Sequence, residues 1–358
     1  MNFPNIEMLK NRKIIFKNFN KEKPVEVFEI KTEDLNNEIK KDRILIKILK
    51  AMIHPCDLGC ASGYVNGIIL PSIAGFEAIG EIKSFSNELK NKFSIGQKVH
   101  VCSTHILGKW EVWQGIWSDY IILKKNQIIP IPQDIRDEDA LQLFVNVMTP
   151  FAMYEEMNLK KGDFLLHTAA NSVVGRVMIQ LVKIFGFETI NIVRNQESLK
   201  DLKESYGIEN VYLYDGKNYD DIYFSIKKEY KEIKFVIDAV SGDLGTLCWK
   251  LLSPDGVFYS YGALSNVHNI SVDIVSDLCR DNKTMKGWSI QGTWLRQKSN
   301  ITKLKAIDEI WNIFRSKELI LPKLGKSFDM EQFREAILES MKPQKEGKIT
   351  LNINTKKI

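Results

Sequence analysis

The chain has 358 residues, 44% of them apolar, which is enough to bury a sizeable core and to form two domains rather than one. Charge is mixed in sign, 50 Lys and Arg against 45 Asp and Glu, and a net +5 is too small for a nucleic-acid binder of this length. No apolar run approaches the ~18 to 20 residues that span a bilayer, so no membrane association is expected. The five cysteines are odd in number and form no CxxC pair, and the N-terminal stretch lacks the apolar run of a presequence, so the expected compartment is a reducing cytosol.

Residues 12 to 130 read as short β runs between turn signals: Arg43 to Leu49, Gly80 to Ser84, Lys98 to Cys102 and Ser118 to Leu123. From about residue 150 strand alternates with helix. Asp163 to Thr168 is an apolar strand, after which Val174, Val177, Met178, Leu181, Val182 and Phe185 fall on one helical face. Further strands are expected over Glu188 to Arg194, Asn210 to Asp215, Lys234 to Ala239 and Gly256 to Tyr261, with a helix over Glu197 to Tyr206. This alternation predicts an α/β fold with a doubly wound parallel sheet. The remainder holds helix patterns around Ile307 to Ser316 and Glu331 to Met341 and a strand from Lys348. Too small for a core of its own, it is expected to return to the β-rich part, which gives domains of 1–149 with 295–358, and 150–294 as an insertion.

Between the first strand and helix of the insertion, Ala170, Ser172 and Gly175 stand at the three glycine positions of a G-x-G-x-x-G turn. Small residues still let a backbone approach closely, and a helix N-terminus can bind a pyrophosphate, although this motif alone favours an ordinary strand-to-helix turn. Nineteen residues after Gly175, where an NAD-binding fold carries an acidic residue, stands Arg194. A cation there suits a 2′-phosphate and favours NADPH; a solvated surface arginine is the alternative.

With these residues in view, the chain resembles the zinc-independent medium-chain dehydrogenase/reductases, nearest the mitochondrial-type trans-2-enoyl-thioester reductases and quinone reductases. The matching stretches run in family order: His54-Pro55-Cys56-Asp57-Leu58, Pro71 to Gly80 with Gly75 and Glu77, Gly96-Gln97-Lys98-Val99, Gly115-Ile116-Trp117, Asn146 to Thr149, Ala170 to Gly175, and Tyr261-Gly262, with Ser340 to Pro343 and Gly347-Lys348 as the closing segment. The resemblance implies a GroES-like catalytic domain beside a Rossmann domain, and a homodimer. Zinc-dependent relatives hold their metal with a Cys at the His54 position and a His at the Phe76 position. A phenyl ring cannot ligate, so no metal is expected and His54 reads as a hydrogen-bonded pocket or core histidine.

The resemblance further implies site residues. Ala170, Asn171, Ser172, Val173, Val174, Gly175 and Arg194 would hold NADPH. Asn146, Thr149, Tyr261 and Gly262 would meet its nicotinamide side, although Asn146 reads equally as a cap of the helix near Thr149. Tyr64 would polarise the substrate carbonyl or help deliver a proton. The family has Gly-x-Tyr where this chain has Gly63-Tyr64, which a single deletion explains; a loop tyrosine packing on the domain edge is the alternative. Gly287 to Trp294 resembles a family strand that lines the acyl pocket, through Trp288 and Trp294, while Trp110, Trp113 and Trp117 read as another wall or as plain core. The implied activity is NADPH-dependent reduction of an activated C=C, most directly a trans-2-enoyl thioester of coenzyme A or acyl carrier protein. Quinone reduction and a structural or interaction role with bound NADPH are the alternatives.

Overall fold

The structure is a computed structural model that describes residues 10–35, 38–65, 67–104, 106–107, 113, 115–265, 267–342 and 347–354. Trp110 and Pro343 lie outside the described residues. The chain divides into two units, one of Met1–Val145, Lys298–Arg315 and Leu321–Ile358, the other of Asn146–Gln297 and Ser316–Ile320.

The first unit is rich in strand. β1 (Lys10–Phe16) and β2 (Phe28–Asp34) pair antiparallel, with Ile14 opposite Ile30 and Phe16 opposite Phe28. There follow β3 (Arg43–Met52), α1 (Pro55–Ala61), β4 (Ser72–Ile73), β5 (Glu77–Phe85), β6 (Lys98–Cys102), β7 (Tyr120–Lys124), β8 (Ile128–Pro130) and α2 (Asp137–Ala140). Period-two alternation in β3 sends Ile44, Ile46 and Ile48 into the core, all without exposed surface.

In the second unit a π-helical turn, Leu143–Met148, leads from the end of the first unit into α3 (Thr149–Met157). Strands and helices then alternate through β9 (Phe164–His167), α4 (Val173–Ile184), β10 (Glu188–Val193), α5 (Gln196–Tyr206), β11 (Val211–Leu213), α6 (Tyr219–Glu229), β12 (Phe235–Asp238), α7 (Gly242–Leu251), β13 (Val257–Ser260) and β14 (Thr284–Gly287). The strands form one parallel sheet in the order β11-β10-β9-β12-β13-β14, the doubly wound arrangement expected of a Rossmann-like unit. Val177, Met178, Leu181 and Val182 of α4 are fully buried, as the helical spacing requires. The helix starts at the Ser172 cap, and α5 starts at Asn195, whose side chain accepts from the Ser198 N–H, and ends on left-handed Gly207.

The chain closes through α8 (Asn300–Ser316), β15 (Leu324–Asp329), α9 (Phe333–Met341) and β16 (Lys348–Asn352). β16 pairs antiparallel with β3, extending the sheet β15-β16-β3-β5-β6-β8, on which β7 also pairs with β3. One expected element differs. The strand read over Gly287 to Trp294 ends at Gly287, and Ile290–Leu295 is a π-helical turn capped by Ser289, whose hydroxyl accepts from the Gly292 N–H at 2.9 Å. Among the described residues no helix is long and apolar enough to cross a membrane. All five cysteines are free; Cys60, Cys102 and Cys248 are buried, Cys56 is partly so, and Cys279 is exposed.

A polar pair sits inside the parallel sheet, where His167 on β9 lies beside Asn191 on β10 with Nε2 and Oδ1 2.5 Å apart. Asn191 in turn donates to the carbonyls of Thr189 and Asn210. Burial lowers the His167 pKa from 6.5 to about 4. Above pH 6.5 both folded and unfolded chains are neutral here; as pH falls from 6.5 toward 4 only the unfolded chain takes up the proton, so stability is lost over that window. The His167→Gln variant keeps a donor without the titration. Chemical unfolding of the two proteins side by side should show the wild type losing about 3 kcal/mol more than the variant between those pH values.

Candidate active site

Where the order of parallel strands reverses, the connections leave in opposite directions and a crevice opens at the carboxyl ends; here the reversal falls between β9 and β12. Thr168, just after β9, donates its hydroxyl to Asp238 Oδ1 at 2.6 Å and accepts from the Ala239 N–H at 3.0 Å. The N–H groups of Val240 and Ser241 donate to the same carboxylate, each at 2.9 Å. Burial pushes the Asp238 pKa up, and these donors oppose it. Ser241 is held at φ 65, ψ −164, a region almost reserved for glycine, and Gly242 follows at φ 63. Strain of this kind collects at ligand-holding turns.

The turn between β9 and α4 is built as tightly. Ala169 is left-handed at φ 49. The Ser172 hydroxyl accepts from the Gly175 N–H at 3.1 Å, which leaves the N–H groups of Val173 and Val174 in a first turn that offers them no helical acceptor. A Cβ on Gly175 would stand 2.5 Å from the Ala170 carbonyl oxygen, so the surviving glycine of the motif is the one that close packing demands. Asn171 Oδ1 accepts from Arg176 Nε at 2.7 Å, and Arg176 pairs with Asp201 of α5 at 2.7 Å. Ala170 through Gly175 are therefore held in one fixed turn. Arg194 follows β10 and is exposed. The Tyr261 N–H donates to the Asp238 carbonyl at 2.9 Å, and a Cβ on Gly262 would lie 3.0 Å from the Ala239 carbonyl oxygen. The Tyr261 hydroxyl is buried without a partner among the described residues, and burial raises its pKa. A cradle of free first-turn N–H groups, glycine-tight turns and one orphaned hydroxyl fits a dinucleotide.

Asn146 is buried in the π-helical turn and Thr149 opens α3. Tyr154 on α3 stacks on Phe185, after α4, with ring centroids 4.3 Å apart. The indole N–H groups of Trp288 and Trp294 donate to Glu156 and Glu155 of α3 at 3.1 and 3.0 Å. Trp294 has no exposed surface and Trp288 keeps 5%, so in this structure both anchor α3. Thr168, Asp238, Ser241 and Arg176 were missed by sequence reasoning. For Asp238 and Ser241 a signal was present in Asp238-Ala239-Val240-Ser241-Gly242, an acid and small residues at the end of an apolar strand.

The first unit contributes a second set. His54 Nε2 lies 2.6 Å from Glu77 Oε1, and His100 Nε2 lies 3.1 Å from Glu77 Oε2. The same Oε2 accepts from the N–H groups of Phe144 and Val145 at 3.0 and 3.2 Å. Burial by itself would raise the Glu77 pKa, but the two histidines outweigh it and hold the carboxyl down at about 2. Burial lowers the His54 pKa, and the neighbouring Glu77 carboxylate opposes that shift. Asp57 accepts from the His54 N–H at 2.7 Å at the start of α1, and burial pushes its pKa up to about 8. Phe76 meets Trp113 edge-on with centroids 4.5 Å apart, while Trp117 is fully buried beneath Gly75. Among the described residues no group of three or more His, Cys, Asp or Glu is arranged to hold a metal ion. Tyr64 follows left-handed Gly63 beyond α1, is 60% exposed, and has Lys21 Nζ 5.7 Å from its ring centroid.

Residues 40–133 match the alcohol dehydrogenase GroES-like domain, and residues 173–311 match the zinc-binding dehydrogenase family. The chain is 25% identical over 336 residues to the mitochondrial enoyl-[acyl-carrier-protein] reductase of Dictyostelium discoideum, covering 92% of each. Among solved structures, a quinone oxidoreductase from Pseudomonas syringae superposes with a TM-score of 0.80 at 18% identity, covering 96% of this chain and 99% of that one. The Etr1p/NADP/crotonyl-CoA complex superposes with a TM-score of 0.78 at 16% identity, covering 96% and 100%.

The Gly175→Ala variant forces a methyl against the Ala170 carbonyl and should lose about 1–3 kcal/mol of unfolding free energy. Gly59→Ala in α1, where a Cβ meets nothing within 4 Å, is the control and should be neutral or slightly stabilised. Equal behaviour of the two in chemical denaturation would refute the packing requirement.

Proposed function

Because this chain belongs to the medium-chain dehydrogenase/reductase superfamily, we propose that it is an oxidoreductase that uses NADPH to reduce an activated C=C bond, with trans-2-enoyl thioesters of coenzyme A or acyl carrier protein first among substrates. The observation that carries the reading is the cradle at the end of β9 and β12. The likeness to an enoyl reductase along 92% of the chain supports the substrate class.

In this reading Ala170, Asn171, Ser172, Val173, Val174 and Gly175 bind the pyrophosphate through main-chain N–H groups and the field of the α4 N-terminus. Arg194 meets the 2′-phosphate with a charge-assisted contact. Asn146, Thr149, Tyr261 and Gly262 hold the nicotinamide side, and Trp288 and Trp294 support the acyl side through α3. The bound nicotinamide supplies the hydride. Tyr64 donates its O–H to the thioester oxygen, where negative charge builds as the β carbon is reduced, and the α carbon then takes its proton from solvent water, Tyr64 helping to deliver it. The reaction is zinc-independent in this account: Phe76 offers no ligand, and His54 Nε2 is committed to Glu77. The edge strand β14 is exposed along its length, and its open N–H and C=O groups suit pairing with a second copy in a homodimer. Free cysteines throughout suit a reducing compartment, which we take to be the cytosol, although the Dictyostelium relative is named mitochondrial.

Anaerobic NADPH oxidation, run separately with an enoyl thioester and with a quinone, tests the function. Turnover of the quinone alone would move the activity there, and tight NADPH binding with neither substrate turned over would leave a binding role. Tyr64→Phe keeps the ring and removes one donor, so kcat on the thioester should fall by ~10²-fold with NADPH affinity and melting temperature unchanged. Retained kcat would make Tyr64 a loop residue. Arg194→Ala should weaken NADPH by about 10- to 150-fold while leaving NADH nearly untouched, since the lost contact is worth about 1.5–3 kcal/mol and exists for one cofactor only. Equal losses for both in fluorescence titration would give Arg194 a structural role.

A further inference from the structure

From α2 to the end of α3 the chain keeps turning helically, from Asp137 to Met157, yet it does not keep one register. In an unbroken α-helix the N–H groups of Phe144 and Val145 would bond the carbonyls of Ala140 and Leu141. Instead a carboxylate from another strand enters the run, and both N–H groups donate to Glu77 Oε2. The six residues from Leu143 to Met148 are wound as a π-helical turn at this place. A side chain inserted into the hydrogen-bond ladder is a recognised cause of such a break, and π turns gather at functional sites.

From this we infer that Glu77 is a positioning residue: its carboxylate, inserted at Phe144 and Val145, sets the π-helical turn and thereby the placement of Asn146 and Thr149. The inference rests on the reading of those two residues as cofactor contacts. Everything around Glu77 serves this insertion. His54 fixes Oε1 at 2.6 Å and His100 approaches Oε2 at 3.1 Å, so the carboxylate cannot rotate away from the two main-chain donors without losing a histidine. His100 is in turn flanked by Cys102, with Sγ 3.6 Å from Nδ1. All three of Glu77, His54 and His100 have essentially no exposed surface, so none of them can reach a substrate directly. An acid so deeply buried, with Oε2 taking both main-chain donors, acts by holding main chain.

The test uses the full chain and NADPH. Glu77→Gln keeps the shape but presents an NH₂ group to donors, and it should weaken NADPH ~10-fold, the loss of about one hydrogen bond's net contribution, with kcat also reduced in folded protein. Asn146→Ala combined with Thr149→Ala should weaken NADPH by itself, and adding Glu77→Gln to that background should change affinity less than about 2-fold, because coupled sites are not additive. A Glu77→Gln variant that melts earlier but binds and turns over normally, or one whose loss multiplies with that of the double variant, overturns the inference. If Glu77→Gln yields no folded protein, His100→Leu and His100→Gln take its place: the leucine should lose NADPH affinity and the glutamine, which restores a donor near the Nε2 position, should recover it. Equal affinity in both would likewise overturn it. Unchanged NADPH affinity in the Asn146 and Thr149 variant would show instead that the cofactor reading of those residues is wrong, and the role of Glu77 through them would fall with it.

Discussion

A carboxylate taken out of water must find donors or lose its charge; Asp238 takes two from the loop that follows it and a third only because a strand distant in sequence ends beside its own. The hydroxyl of Thr168 comes from the end of β9, and the N–H groups of Val240 and Ser241 come from the loop after β12. Satisfying one buried acid thus closes the switch point at its floor and forces both following turns to bend away above it. The left-handed Ala169 and the strained Ser241 are the conformational cost of that bend, roughly 1–3 kcal/mol per strained residue. Where the turns part, first-turn N–H groups of α4 are left facing outward, which is what a phosphate requires.

The first unit solves a similar problem differently. Glu77 is as buried as Asp238, but two imidazoles join the main-chain donors, and its pKa is driven down rather than up. Asp57, a few ångströms along the chain from His54, has fewer partners and is pushed up to about 8. Burial alone therefore does not decide the charge of an acid in this protein; the number and kind of donors do. His54 and Phe76 occupy positions where zinc-dependent relatives keep ligands, and here one lies against the Glu77 carboxylate while the other packs on Trp113.

Much of the architecture was legible from pattern. Lys98 to Cys102 appears with the expected bounds, and the face of α4 follows directly from its helical spacing. β1 and β2 went unread because KNRKIIF does not alternate and FEIKTED, though its first residues alternate, carries charge on most of its length; they are held by each other's register. α6 and α7 were also unread, the first behind a polar sequence and the second behind Gly242 and Gly245, both poor helix formers, in its first turn. The strand beyond Gly287 was expected from the resemblance to a family strand, whereas Ser289 caps a helical turn here. At the site, the single retained glycine pointed to the turn. The Thr168–Asp238 bond spans 70 residues and the Glu77–Val145 bond 68, and no local spacing announces contacts of that range.

The distribution of thiols carries a practical consequence. Burial pushes the pKa of Cys56, Cys60, Cys102 and Cys248 upward, so in the native chain these sulfurs are not ionised, and all but the partly buried Cys56 are out of reach. Cys279 alone among them stands exposed, in the segment between β13 and β14. An alkylating dye therefore has one fully exposed address on the folded protein, gains Cys248 when the parallel-sheet unit opens, and gains full access to Cys56, Cys60 and Cys102 when the β-rich unit opens. Mapped by mass spectrometry, the chain supplies its own two-channel recorder of which unit comes apart first.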